Sequence, residues 1–215
     1  MGRSLNSVEG KHVPDQLYLH GSIDVPITAP KVSVVGTRHP TKEGMSEARM
    51  VSKMLTENDV TIVSGLAMGI DTIAHRTAIE LDGQTVAVLG TPLDRTYPKS
   101  NYRLQREIGE NHLLISQFPN GRPIRKGNFV MRNRTMALLS NATVIVEAKD
   151  LSGTLHQGWE ALRLGRPLFV CEPAVQSSET WLEEMKQYGA IVLDDIYDIL
   201  DELPEKDVPL IDIFA

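Results

Sequence analysis

The chain has 215 residues, 41% of them hydrophobic, which suits about one to one and a half domains and excludes a disordered, collagenous or coiled-coil protein. Its formal charge of −6 argues against nucleic acid only as a global figure: eleven acids and two lysines lie between Glu179 and Ala215, a net of −9, which leaves the first 178 residues with 20 basic and 17 acidic groups, a net of +3. The single cysteine, Cys171, cannot form an internal disulfide, and no window reaches the ~18 apolar residues of a membrane span or opens like a signal peptide, so a cytoplasmic location is expected.

Residues 1–30 are polar, with one candidate strand at 16–20, and read as an edge extension rather than a domain. From residue 31 onward, short β-branched runs alternate with helical stretches. Strands are expected at 31–36, 60–65, 85–90, 113–117, 143–147, 168–170 and 191–193. Most of these runs are apolar without alternation, as strands covered on both faces are. Helices are expected at 43–58, 70–81, 102–111, 129–140, 155–164, 179–188 and 195–202. The first of them places Ala48, Val51, Met54 and Leu55 on one face. Such alternation predicts a doubly wound, mostly parallel α/β sheet with helices on both faces, spanning 31–202. Residues 203–215, with Pro204 and Pro209, are expected to form an acidic tail whose final IDIF either docks on a partner or packs back on the sheet.

Ligands of such sheets bind beyond the carboxyl ends of the strands. The predicted strands are followed in turn by Gly36-Thr37-Arg38, by Ser64-Gly65 leading to Asp71, by Gly90 and a loop ending at Asn101, by the loop 118–128, and by 147–154 ending in Ser152-Gly153-Thr154. Glycine near four of these five junctions is expected to bring backbone close to a ligand. Gly65 and Gly69 suit either a phosphate at the following helix or tight strand–helix packing, and Asp71 is expected to cap that helix or hold an arginine. Neither G-x-G-x-x-G after the first strand nor the phosphate-loop motif is present, which disfavours nicotinamide, flavin and nucleoside-triphosphate chemistry.

The strongest charge feature is 122–134 (RPIRKGNFVMRNR), with Arg122, Arg125, Lys126, Arg132 and Arg134 and no acid. Arg95, Lys99, Arg103 and Arg106 form a second basic group. Because the first part of that run is a loop at the ligand edge and Phe129 sits among the charges, base stacking combined with phosphate contact is expected. The six histidines have no metal-ligand spacing, no acid pair stands out, and G-x-S-x-G is absent, so no catalytic residue, metal or cofactor is expected. His75, one turn after Asp71, reads as part of a capped helix start, and Cys171 as an inert core thiol.

The strings VSVVGTRHPT (32–41), VTIVSGLAMGIDTIAH (60–75), TVAVLGTPLDRTYPKSN (85–101) and SQFPNGRPIRKGNFVMRNR (116–134), preceded by LYLHGSIDV (17–25), resemble the DNA-processing protein A family, also called Smf. The likeness covers about three quarters of the chain. It implies a non-enzymatic, single-stranded-DNA-binding protein on an extended Rossmann-like fold that protects incoming strands in natural transformation and loads the RecA recombinase, with a homodimer as its assembly. Carried over by motif, Arg38 matches a DNA-contacting arginine and Lys99 a basic groove position, alongside Asn101. Lys126 matches a phosphate-contacting lysine, beside Arg125, and Phe129 a stacking ring. Asn133 and Arg134, with Arg132, match the groove floor, and Gly36, Thr37, Ser64 and Gly65 match backbone that approaches the strand. Arg38 also has Asp71 and Glu147 as alternative partners. SGTLHQGWEAL (152–162) and CEPAVQSSETWLEEM (171–185) differ from the family's usual helix start and Pro-Gly turn. The expected version is core-only, without the family's N-terminal helical domain or winged helix. The competing reading is a nucleotide-binding module or a phosphoribohydrolase of the LOG family, whose glycine-rich loop Ser152-Gly153-Thr154 half resembles. Gln157 stands where that enzyme has its glutamate, and Glu160 comes one turn later.

Overall fold

The β-branched runs form strands because both of their faces are covered. A computed structural model describes residues 7–150, 152–178 and 180–204. The strands are β1 (Tyr18–Gly21), β2 (Lys31–Gly36), β3 (Thr61–Ser64), β4 (Thr85–Leu89), β5 (Leu113–Ser116), β6 (Ala142–Glu147), β7 (Leu168–Val170) and β8 (Ala190–Val192). The helices are α1 (Lys42–Glu57), α2 (Ile70–Glu80), α3 (Tyr102–Asn111), α4 (Lys126–Leu139), α5 (Gly153–Arg163), α6 (Glu172–Gln176), α7 (Trp181–Gln187) and α8 (Asp198–Asp201). The sheet order is β1-β5-β4-β3-β2-β6-β7-β8. Every pairing is parallel except that of β1 with β5. On β2, Val32 and Val34 pack with Val51 and Leu55 of α1 and Ala74 of α2. Val35 points the other way, into the core that holds Met136 of α4 and Leu155 of α5. Two covered faces turn a period-two strand into the unbroken apolar run seen in the sequence. The predicted fold class is thus the observed one.

Several boundaries differ for local reasons. Helix α4 starts three residues earlier than expected, because its first turn, Lys126-Gly127-Asn128, is polar and carries no apolar period. The one-turn helix α6, opened by Pro173, is too short to show a period at all. The expected helix at 195–202 shrinks to α8, since the Asp195 carboxylate accepts the Tyr197 amide at 2.9 Å and makes a turn there instead. The N-terminal extension contributes β1, paired with β5. Leu203 packs against the core beside Ile196 and Leu200, whereas residues 205–215 of the acidic tail, with the final IDIF, lie outside the described residues.

The chain leaves β2 toward β3, β4 and β5, then crosses back to lay β6, β7 and β8 on the other side, so strand order reverses between β2 and β6. Their register shifts between Val35 and Gly36, leaving Gly36 opposite Glu147. This bulge turns the Gly36-Thr37-Arg38 exit out of the ladder at the crevice where such sheets take ligands. No helix among the described residues is long and apolar enough to cross a membrane.

Candidate nucleic-acid interface

Glycine does allow close approach at the strand ends, but the groups that approach belong to the protein. A Cβ at Gly65 would stand 1.7 Å from Arg132 Nη1. Arg132 is buried; its Nη1 donates to the Val88 carbonyl and its Nε to Asn133 Oδ1, both at 3.0 Å. The Gly65 and Ala67 amides donate to Asp71 Oδ2 at 3.1 and 3.2 Å. Asp71 and Arg132 therefore face each other across the Gly65 turn. Burial pushes the Asp71 carboxyl above its ordinary value against the pull of Arg132, the two amides and Arg38. Burial also lowers the Arg132 guanidinium, which Asp71 supports. At Gly90, a Cβ would lie 2.4 Å from Phe129 Cδ1, so the missing side chain seats the ring.

Several expected contact residues make internal hydrogen bonds or ion pairs. The Ser64 hydroxyl is fully buried and donates to the Val34 carbonyl at 2.7 Å, and the Gly65 amide donates to Asp71. The Thr37 amide donates to the Glu147 carbonyl at 2.8 Å, and the Thr37 carbonyl accepts from Ile70 N at 3.2 Å. Asn101 is buried and donates to the carbonyls of Leu66 and Ala67 and to Thr72 Oγ1, pinning the loop after β3. Asn133 Nδ2 donates to the Gly153 carbonyl at 3.1 Å, fixing the start of α5. Arg134 makes a bidentate pair with Glu160 at 2.9 and 3.2 Å, and Glu160 also accepts from Arg163. Glu147 accepts the Thr41 amide and hydroxyl at the start of α1, so neither it nor Asp71 ion-pairs with Arg38.

Four cations remain. Arg38, Lys99, Arg125 and Lys126 are exposed, and none makes an ion pair among the described residues. Arg38 lines one surface with Phe129, Tyr97 and Pro98. The rings of Tyr97 and Phe129 lie 5.3 Å apart with their planes at 52°. Tyr97 was missed in the sequence, although an aromatic two residues before Lys99 in a ligand-edge loop was a usable signal. Of the second basic group, Arg106 pairs with Glu110 at 2.8 Å; in the run 122–134, Arg122 sits over the Phe118 ring at 5.1 Å.

Below this surface, a cleft of about 400 Å³ opens between the ends of β2 and β6. Arg38, Asp71 and Phe129 line one side and Lys149, Thr154 and Gln157 the other. Lys149 and Thr154 come from the expected ligand-edge junction 147–154, although none of the three is among the expected DNA contacts. Of the carboxylates around it, Asp71, Glu147 and Glu160 are engaged, whereas Asp150, between Lys149 and Ser152, has a buried oxygen without a hydrogen-bond partner; no group of three metal-ligating side chains occurs among the described residues. Cys171 is buried, and burial together with Glu47 pushes its thiol well above the ordinary value.

A family model described as DNA recombination-mediator protein A matches residues 3–204. The chain is 39% identical over 190 residues to DNA processing protein DprA of Streptococcus pneumoniae, covering 88% of this chain and 67% of that protein. A crystal structure of the Streptococcus pneumoniae protein aligns with a TM-score of 0.82 at 36% identity, covering 93% of this chain and 72% of the other. DNA processing protein A from Helicobacter pylori, whose structure is described as giving insight into its single-stranded DNA binding mode, aligns with a TM-score of 0.79 at 27% identity, covering 93% and 92%. The chain spans about half to two thirds of the length of most curated relatives it matches.

Proposed function

The chain belongs to the DNA recombination-mediator protein A family, and we propose that it binds single-stranded DNA along the surface of Arg38, Lys99, Arg125, Lys126 and Phe129, without catalysis. The observation that carries this reading is that Arg38, Lys99, Arg125 and Lys126 are exposed without an ion pair among the described residues, and that Arg38 lines one surface with the tilted Tyr97–Phe129 pair. Cations without acid partners exchange counterions for phosphates, and an accessible ring takes an unpaired base of any sequence. A duplex keeps its bases stacked and offers that ring nothing, so the aromatic pair favours the single strand. The engaged carboxylates around the cleft support binding without turnover: Asp71 holds two amides, and Glu160, the acid nearest in sequence to Gln157, holds two arginines. The family's description as a recombination mediator supports RecA as protein partner in DNA uptake and recombination. A homodimer and a cytoplasmic setting belong to the same reading.

The test is fluorescence anisotropy of labelled oligo-dT against a duplex of equal length at two salt concentrations. Salt-sensitive binding that prefers the single strand is the expected result, and equal affinity for both forms would overturn the reading.

A further inference from the structure

We propose that the cleft between β2 and β6 is a receptor for a terminal nucleotide phosphate, with the phosphomonoester at the start of α5 and the base against Gln157. Helix α5 is eleven residues long and uncapped: Ser152, at the N-cap, makes no side-chain capping bond, and its buried hydroxyl has no partner. Its first turn therefore presents free amides and the positive end of the helix dipole to the cleft. Four residues on, and so on the same helix face, Gln157 lines the same cleft at 1% exposure, and neither its amide nitrogen nor its amide oxygen has a hydrogen-bond partner. A primary amide that is wholly buried and wholly unmatched is costly, and a ligand carrying a donor beside an acceptor would repair it.

The surroundings select the ligand class. Arg38 and Lys149 place positive charge at the rim, and Val35 and Met136 supply apolar wall. Asp150 precedes the helix but does not line the cleft. The start of α5 is held in place by Asn133 on the Gly153 carbonyl and, one turn beyond Gln157, by the Arg134–Glu160 pair. A phosphomonoester carries roughly −1.5 to −2 charge near neutral pH, more than an internal phosphodiester, so this end of the helix favours a terminus over the middle of a strand. A nucleobase edge offers the paired donor and acceptor that Gln157 lacks. The cleft shares Arg38 and Phe129 with the proposed DNA surface. As the end of a bound strand the ligand rests on the function proposed above; as a free nucleoside monophosphate it does not.

Two arms separate these sources. In the first, oligo-dT labelled at one end is titrated with or without a phosphate at the other, for both polarities. In the second, calorimetry compares the four deoxynucleoside monophosphates with their nucleosides. A phosphate at one end is expected to tighten binding about five-fold, in line with an anion at a helix N-terminus, and a monophosphate to bind where its nucleoside does not. Gln157→Leu should reduce these gains, because the terminal base loses its partner, and should raise the melting temperature, because it removes an unpaired buried amide. Gln157→Glu, of equal volume but carrying a negative charge that repels the anion, should abolish them. End preference alone assigns the cleft to strand ends, and monophosphate binding alone to free nucleotides. Absence of both overturns the proposal even if oligo-dT binds, as would gains that survive both variants. Monophosphate binding by a protein that ignores oligo-dT would instead count against the DNA surface and leave the cleft standing.

Discussion

Arg38→Ala and Arg134→Ala remove the same charge, yet only the first should change the salt dependence of DNA binding. If the four free cations each neutralise one phosphate, log K falls against log salt with a slope of about −2.8, or roughly 50-fold between 50 and 200 mM salt. Without Arg38 three contacts remain, the slope becomes about −2.1, and the same salt step costs about 18-fold. Arg134 is already neutralised by Glu160, so Arg134→Ala should leave the slope at its original value. What it removes is a clamp between α4 and α5. The pair is worth about 1 kcal/mol at most, because Arg134 is 37% exposed and solvent screens it, and Glu160 keeps Arg163. Anisotropy titrations at five salt concentrations give the slopes, and urea unfolding gives the stability. If Arg134→Ala flattens the slope as much as Arg38→Ala does, the division into free and committed cations is wrong. If all four free cations can be removed together with no change in slope, the DNA surface itself is misplaced.

Three further outcomes follow from the same geometry. Gly65→Ala puts a methyl where Arg132 Nη1 lies, displacing a buried guanidinium from Val88 and from Asp71, and should cost about 3–5 kcal/mol in urea unfolding; a cost under about 1 kcal/mol would show that Arg132 moves freely. Phe129→Leu keeps apolar cover over Gly90 but loses the ring, so oligo-dT affinity should fall by the about 1–3 kcal/mol of one stacked base, and an unchanged Kd refutes stacking. His75 is fully buried, and its pKa is lowered to about 3 by burial first, then by His112 and Arg132. Thr85 Oγ1 donates to the Ile62 carbonyl and so accepts from His75 Nδ1, leaving Nε2 an unprotonated, unpartnered acceptor. The folded state thus stays neutral where the unfolded chain takes up a proton. Stability is complete above pH 6.5 and should drop by about 1.4 kcal/mol per unit as the pH falls from there toward 3. His75→Gln should remove that acid limb from a series of urea midpoints, and an identical limb in both proteins would sink the assignment.

The sheet was legible because burial on both faces leaves runs such as KVSVVG and ATVIVE, which have no other easy explanation in a soluble chain. Topology then placed the ligand edge, since glycines and cations cluster after the same strand ends. What the one-dimensional pattern lacked was the pairing of those charges. Lys126, Arg132 and Arg134 belong to one acid-free segment, but Asp71 and Glu160, which separate them, arrive from α2 and α5, with Glu160 lying 26 positions from Arg134. The glycine signal was right in kind and wrong in object: close approach does occur at Gly65 and Gly90, by Arg132 and Phe129. Gln157 read as a missing carboxylate, and only its burial beside an uncapped helix gives it a positive role.

The committed and free groups also respond differently to salt, and this links the fold to the way a strand would be held and released. Arg132, Asp71 and Asn101 are buried, where added ions screen little, and they fix the turn after β3 and the floor under Phe129. Arg38, Lys99, Arg125 and Lys126 are exposed, so their attraction for phosphates weakens steeply with ionic strength. Gly90 seats the Phe129 ring as part of the fold, so stacking on it should need no reordering of the groove when a strand arrives. Salt strong enough to empty such a surface leaves its shape unchanged, and a strand returning at lower salt meets a groove already formed.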